Sequence, residues 1–476
     1  MASTTLAEIS RLDLLDLNAP PSASIVDVKQ LSSYNWIEAP TPTITVPGSP
    51  SLWSAPTAPR KVKKDSGLIY IAQNAARHPD SPLEPLFRAL YIADPSFDIR
   101  SIDIVADRNN IRKLLSFVNP SSSRSGLEPF TINIEVAKNT AIFSRAETAT
   151  HEYIGPHEFR GFGHEFEKAY TTNQIEGSTG HHRIISYRFG DLNFIVRHET
   201  DGYVDAGTEK PSSDSRELES DKLSNMLGSL SLSPTNRLPN ITTAGSKLTI
   251  KEEGKAIPLG STLEVKTRVF HKPLDIQEIA PQLWVSQTPK LVRAYHRNGT
   301  FQNPEIEDVA AFINRWEERN QSDLKKLASL INRVLTVVKD CGGNAMVKYD
   351  EQEDKLVIRK VTGKKMLPKD LYSKWDDRDN TEGETKTGRG LGAESAEKPA
   401  DEVETEAEGK CVGDGPADAK GKKAAEAAKE GEQTLPEKRV TNPTPAKDRG
   451  SDSQDKRGEH LAADSGEALP GSSPAG

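Results

Sequence analysis

Thr262-Leu263-Glu264-Val265-Lys266-Thr267-Arg268 is the stretch from which the rest of the chain can be read. Its make-up predicts a β-strand within Ser261–Phe270, and side chains alternate faces along a strand. Glu264 and Lys266 therefore share one face with Thr262 and Arg268. Leu263 and Val265 point the other way, into a core. A carboxylate and an ammonium two residues apart usually form a solvated ion pair. The pair acquires meaning only from what stands around it.

Upstream, Arg183–Phe189 and Leu192–His198 are two β-rich runs joined by Gly190-Asp191, the pattern of a two-residue hairpin. The second run leads into Glu199-Thr200-Asp201, two carboxylates two positions apart at a strand end and again on one face. Packed carboxylates repel and shift each other's pKa unless a cation intervenes. Earlier still, a helix is predicted over Glu158–Tyr170. It carries Gly163-His164-Glu165-Phe166-Glu167, in which Glu167 is a third acidic contribution. Metal-dependent phosphodiester cleavage needs carboxylates to hold Mg²⁺ or Mn²⁺ at the scissile phosphate. It also needs a nearby cation to stabilise the nucleophilic water or the developing charge. A helix acid, Glu-x-Asp at a strand end, Glu-x-Lys on a strand and then a helix follow the order of a PD-(D/E)XK nuclease core. The expected fold is α+β, a PD-(D/E)XK-like mixed central sheet flanked by helices.

The succession Gly163-to-Glu167, Glu199-x-Asp201, Glu264-x-Lys266 and Gln287, the last in Leu283-Trp284-Val285-Ser286-Gln287, resembles the eukaryotic decapping nucleases of the DXO type. Val105-Ala106-Asp107-Arg108, followed by a helical pattern, resembles that family's Arg-bearing motif, with Asn109 where a Gly normally follows. The resemblance covers roughly residues 66–340. It implies Glu167, Asp201 and Glu264 as metal ligands and Glu199 acting on the metal through water. Lys266 and Gln287 would position the nucleophile, and Arg108 would contact the RNA 5′ end. The implied activities are removal of aberrant and NAD caps, pyrophosphate release from 5′-triphosphate RNA, and 5′→3′ RNA digestion. The implied partners are RNA 5′ ends and, as for some family members, a 5′→3′ exoribonuclease. Two further departures are the long gap between Asp201 and Glu264 and an acidic tail.

Around this centre, residues 1–65 are rich in Pro, Ser and Thr and read as extended chain lying on the body through Trp36 and Trp53. Residues 66–372 read as the α+β domain, with a flexible insertion at 207–245 and a disordered acidic tail at 373–476. Pro85–Ala93 and the segment from Ile111 to Val118 read as helices. A helical stripe is predicted through Asp275–His296, kinked or ended at Pro289. Glu305–Glu317 and Ser322–Val338 are further predicted helices. Phe130–Val136 with Thr140–Ser144, and Met346–Tyr349 with Lys355–Val361, read as hairpins.

Composition narrows the classes. From Asp376 onward there is no Phe, Trp, Tyr or Ile, so that segment cannot bury enough apolar surface to offset its ordering entropy. It holds 24 acidic and 15 basic residues, leaving 46 and 47 in the body, so the net charge of −8 belongs to the tail. Two cysteines, Cys341 and Cys411, make no disulfide framework and no cysteine zinc site. With no leader-like N-terminus and no membrane-length apolar run, the expectation is a soluble intracellular protein, nuclear or cytoplasmic. His181-His182 reads as a solvated pair in a turn. A prenyl diphosphate synthase would need paired Asp-rich motifs on facing helices, and Asp376-Asp377-Arg378-Asp379 has no second copy. The remaining rival to a hydrolase is a catalytically weak RNA-end-binding or exoribonuclease-partner protein of the same fold.

Overall fold

The two strands that framed the reading lie in different sheets. The structure is a computed structural model that describes residues 4–376 apart from 16, 18, 123–126, 206–240, 243–244 and 364. Leu192–Glu199 belongs to a twelve-stranded mixed sheet, and Thr262–Val269 belongs to a second sheet of eight strands. In the large sheet Leu192–Glu199 lies between Ser178–Phe189, antiparallel, and Ile104–Asp107, parallel. The Phe189↔Leu192 register confirms the hairpin, and Gly190 supplies its positive φ of 58°. The hairpins Thr131–Ala137/Thr140–Ala146 and Asn344–Asp350/Lys355–Lys360 extend the sheet on one side.

Three packed cores hold this together. Helices Arg108–Val118, Ile276–Ser286, Ala310–Arg319 and Gln321–Asp340 bury one face of the large sheet through residues such as Val196, Trp284, Leu327 and Val334. The opposite face carries Tyr34, Trp36 and Ile184 against Phe87, Leu90 and Trp375. The smaller sheet packs Leu263 and Val265 against Phe166, Tyr170 and Phe301. This is the α+β arrangement that the motif order predicts, mixed sheets flanked by helices. Among the described residues no helix is long and apolar enough to cross a membrane.

Four expectations are corrected. Residues 1–65 are not extended chain lying on the body; Ile25–Ile37 is a thirteen-residue strand inside the large sheet, paired on both sides. Its polar residues are satisfied by remote partners: Ser32 Oγ donates to the Ala89 carbonyl at 2.7 Å and Asn35 Nδ2 to Ser178 Oγ at 2.7 Å. Such satisfaction lets polar side chains be buried without a net penalty. The stripe over Asp275–His296 is a helix only to Ser286. Pro289 ends it, and Lys290–Arg297 is a strand parallel to Thr262–Val269, completing a β-α-β unit. The helix expected over Glu158–Tyr170 starts at Gly163, because Gly161 takes a φ of +136°. The helix expected from Glu305 starts at Ala310, after the short strand Ile306–Asp308.

Order also runs past the expected domain end at 372. Ser373–Trp375 forms a 3₁₀ turn, and buried Trp375 donates Nε1–H to Thr140 Oγ1 at 2.8 Å. The tail from 377 onward and nearly all of the 207–245 insertion lie outside the described residues.

Candidate active site

The chain leaves the large sheet at Glu199 and enters the smaller one at Gly202, so the Glu-x-Asp pair sits where the sheets meet. Gly202 pairs with Leu263, and a Cβ on it would stand 2.9 Å from the Ser51 carbonyl oxygen. Only glycine permits that approach. Asp201 Oδ2 accepts the Val265 N–H at 2.7 Å, which ties Glu-x-Asp directly to the Glu-x-Lys strand. On that strand Leu263 and Val265 enter the core while Glu264 and Lys266 share the other face, as alternation requires.

Glu167 comes from the helix Gly163–Tyr170. Phe166 and Tyr170 anchor that helix, stacking on each other at 4.0 Å and reaching Phe301 and Trp53. Asp65 caps it from outside, its Oδ1 accepting the Glu165 N–H at 2.9 Å. The N-terminal segment therefore helps to place Glu167.

These side chains act on one another. Burial, followed by the charges of Asp201 and Glu199, raises the Glu167 carboxyl well above the usual range. Burial and then the Glu264 charge push Asp201 up to about 7. Glu199 reaches solvent at the cleft, yet surrounding protein raises its carboxyl too, against the pull of Arg108. Burial works the same way on Glu264, but Lys266 and Arg108 outweigh it and hold this carboxyl at about 2. Lys266 is raised in turn: burial disfavours its charge, and Glu264 and Asp201 overcome that. The cluster thus contains one firmly ionised carboxylate and neighbours that resist ionising beside it.

Glu264 is only 2% exposed and is bonded at both oxygens. Lys266 Nζ reaches Oε1 at 2.5 Å and Arg108 Nη1 reaches Oε2 at 3.2 Å. The third donor is Gln282 Nε2, also on Oε1. Gln287, for which a positioning role was expected, has its side chain elsewhere. Gln287 is the left-handed residue that ends its helix, φ 51°, and its side chain turns back to the Trp284 carbonyl at 2.6 Å. Gln282, one turn earlier and buried, is the glutamine that meets the cluster. Arg108 opens its helix just after Asp107, whose two oxygens are taken by Arg197 at 2.7 and 3.0 Å.

Beside Glu199 a cavity of about 110 Å³ is lined by Arg108, Asn109, Arg145, His182 and Tyr70, among others. His181 and His182 are not a solvated turn; both are buried within the strand Ser178–Phe189. Burial lowers both rings' pKa well below the usual value, and His182 stacks on Tyr34 at 5.1 Å.

Carboxylate oxygens are the donors that Mg²⁺ and Mn²⁺ prefer, and mutual repulsion among Glu167, Asp201 and Glu199 is what such an ion would relieve. In kind, the residues fit a divalent metal. In placement they stop short. Among the described residues no three His, Cys, Asp or Glu side chains are gathered closely enough to hold an ion. The reason lies in the bonds already made: Glu264 is drawn to three cationic or amide donors and Asp201 to a backbone N–H.

Comparison with known proteins adds the following. No curated protein sequence matches. Among solved structures, the chain is similar to Rai1 of S. pombe at 12% identity and a TM-score of 0.44, over 75% of this chain and 99% of that one. It is similar to Scheffersomyces stipitis Rai1, solved with (3′-NADP)⁺ and calcium ion, at 13% identity and 0.46, over 76% and 93%. It is similar to K. lactis Dxo1, solved with manganese, at 11% identity and 0.37, over 76% and 95%. At such identity these similarities concern the course of the chain and carry no residue's role across. The model of one sequence family, described as a domain of unknown function (DUF8563), matches residues 13–375. That match spans most of the chain, and the protein belongs to the DUF8563 family.

Proposed function

We propose that the protein is a divalent-metal-dependent hydrolase of RNA 5′ ends, removing caps, NAD caps or pyrophosphate. The observation that carries this reading is the convergence of Glu167, Glu199, Asp201, Glu264 and Lys266 into one electrostatically coupled cluster beside Arg108. Such clustering has a cost in a free protein and a use in phosphoryl chemistry. Glu167, Asp201 and Glu264 would hold the ion, Mg²⁺ or Mn²⁺, whose chemistry there is to acidify a bound water and polarise a phosphoryl oxygen. Glu199, open to the cleft, would accept a hydrogen bond from that water. Lys266 would stabilise charge on the attacking oxygen, with Gln282 in the positioning role expected of Gln287. Arg108 would exchange Glu264 for a substrate phosphate oxygen. A 5′→3′ exoribonuclease is the protein partner to test by co-purification.

The test is purified protein with Mn²⁺ or Mg²⁺ on RNA bearing a 5′-triphosphate, a methylated or unmethylated cap, or an NAD cap. Product should appear with at least one, and Asp201→Ala and Glu264→Ala should abolish it. A wild type as inert as its variants on all of them would end the hydrolase reading. One observation favours a second reading, an RNA-end-binding protein with weak turnover: both oxygens of Glu264 are already bonded within the protein. In the same assay it predicts tight 5′-end binding without product.

A further inference from the structure

Arg112 is absent from the motifs that mark this cluster, yet the structure sets it there. It lies four residues after Arg108 on the helix Arg108–Val118, hence on the same face, one turn or about 6 Å further along. Arg108 Nη1 touches Glu264 at 3.2 Å, and Arg112, one turn on, stands near enough to feel the charges of Glu264, Arg108 and Arg145. The nearby cations are engaged. Lys266 bonds Glu264, Arg145 bonds Glu147 and the Ile71 carbonyl, and Lys113 bonds Glu147 at 2.9 Å. Arg112 is half-buried and makes no hydrogen bond or ion pair with any described residue. Burial, then the charge of Arg108, lowers its guanidinium to about 10, with Glu264 pulling the other way and Arg145 adding to the repulsion.

An arginine that is partly desolvated and repelled by two other guanidinium groups is poorly placed in the free protein. It is well placed to receive an anion, since a guanidinium matches the paired oxygens of a phosphate. We propose that Arg112 is a substrate-binding residue that, beside Arg108, takes the phosphate next to the scissile linkage of an RNA 5′ end. This rests on the hydrolase or end-binding reading above. It adds a second contact point, so that two consecutive phosphates are held along the helix and the scissile one is set against the carboxylates. Phosphate contacts of this kind position a chain without reading its sequence.

The experiment measures binding of a short, 3′-labelled, 5′-phosphorylated single-stranded RNA in EDTA, across a series of KCl concentrations. Arg112→Ala should bind about tenfold more weakly, and its log–log salt slope should be shallower by about 0.7, the value of one phosphate contact on a single strand. Arg112→Lys should keep the slope while losing part of the affinity. In turnover, KM should rise while kcat stays within about twofold. Wild-type affinity and slope in Arg112→Ala overturn the inference. So does Arg112→Lys behaving like Arg112→Ala, which would mean a packing role. If Arg112→Ala does not fold, Arg112→Gln against Arg112→Lys gives the same contrast. Wild type that binds with the predicted Arg112 effects but forms no product leaves the inference standing and removes the hydrolase. Wild type that does not bind RNA overturns both.

Discussion

Glu135 and Glu264 are 1% and 2% exposed, and each is met by three donors. Glu135 accepts from Lys365 Nζ at 2.7 Å, the Met366 N–H at 2.8 Å and Tyr372 OH at 2.9 Å. Those bonds pin the segment before Trp375 to the strand Thr131–Ala137. Glu264 has Lys266, Arg108 and Gln282, but Asp201, Glu167 and Glu199 crowd it as well. The first carboxylate is matched and its purpose is exhausted by the fold. The second stands in a group with more negative charge than its donors neutralise, so the group's protonation is divided, Glu264 at about 2 and Asp201 at about 7. Burial alone therefore does not mark a site; company of like charge does.

The sharpest way to break this contrast is to remove each carboxylate. Glu264→Ala should cut single-turnover rates by on the order of 10³-fold or more, about 4 kcal/mol, with the fold retained by circular dichroism. Glu135→Ala should do the reverse, lowering urea-denaturation stability by about 2–3 kcal/mol because it strands its donors, with rates unchanged. Equal effects of the two on turnover would erase the distinction. A smaller effect separates the glutamines: Gln282→Leu should lower kcat by about tenfold, and Gln287→Ala should change it less than twofold.

The smallest effect is a pH dependence. Asp201 has a folded-state pKa raised above its unfolded value, so the folded state holds the extra proton between about pH 4 and 7. Its contribution to stability therefore falls as pH rises through that window. In metal-free buffer Asp201→Asn should match wild type near pH 4 and become progressively more stable than wild type up to about pH 7. A melting-temperature difference that is flat with pH, or of opposite sign, would show that Asp201 ionises freely and that the crowding is not felt. Added Mn²⁺ should shrink the difference at the high end by stabilising the ionised wild type.

The site was legible to the extent that it obeys strand alternation. Glu264, Lys266, Glu199 and Asp201 declare themselves by i, i+2 spacing, and Glu167 by chain order. Gln282 could not be told from Gln287, because both sit on the predicted helix and only the positive φ at Gln287 turns the latter back on its own backbone. Extending the helical stripe past the kink or end expected at Pro289 hid the strand Lys290–Arg297, whose apolar residues fit either period over so short a run. The strand Ile25–Ile37 was missed for a different reason. Ser32, Ser33 and Asn35 look solvent-facing, and the side chains that satisfy Asn35, Ser178 and His181, lie more than 140 positions away. Arg112 carries no motif, and only the start of its helix beside Glu264 gives it significance.

Thr200 and Asp201 form a two-residue seam between two sheets, with Glu199 the last residue on one side and Gly202 the first on the other. Glu199 is thus mounted on one plate, Glu264 and Lys266 on the other, and Asp201 is riveted across by the Val265 N–H. Any ligand that draws these groups together must also fix the tilt between the plates. A bound ion or phosphate would act as a wedge set in a joint, and its grip would be felt as slower amide exchange at Gly202 and Val265 and along both strands leading away from them.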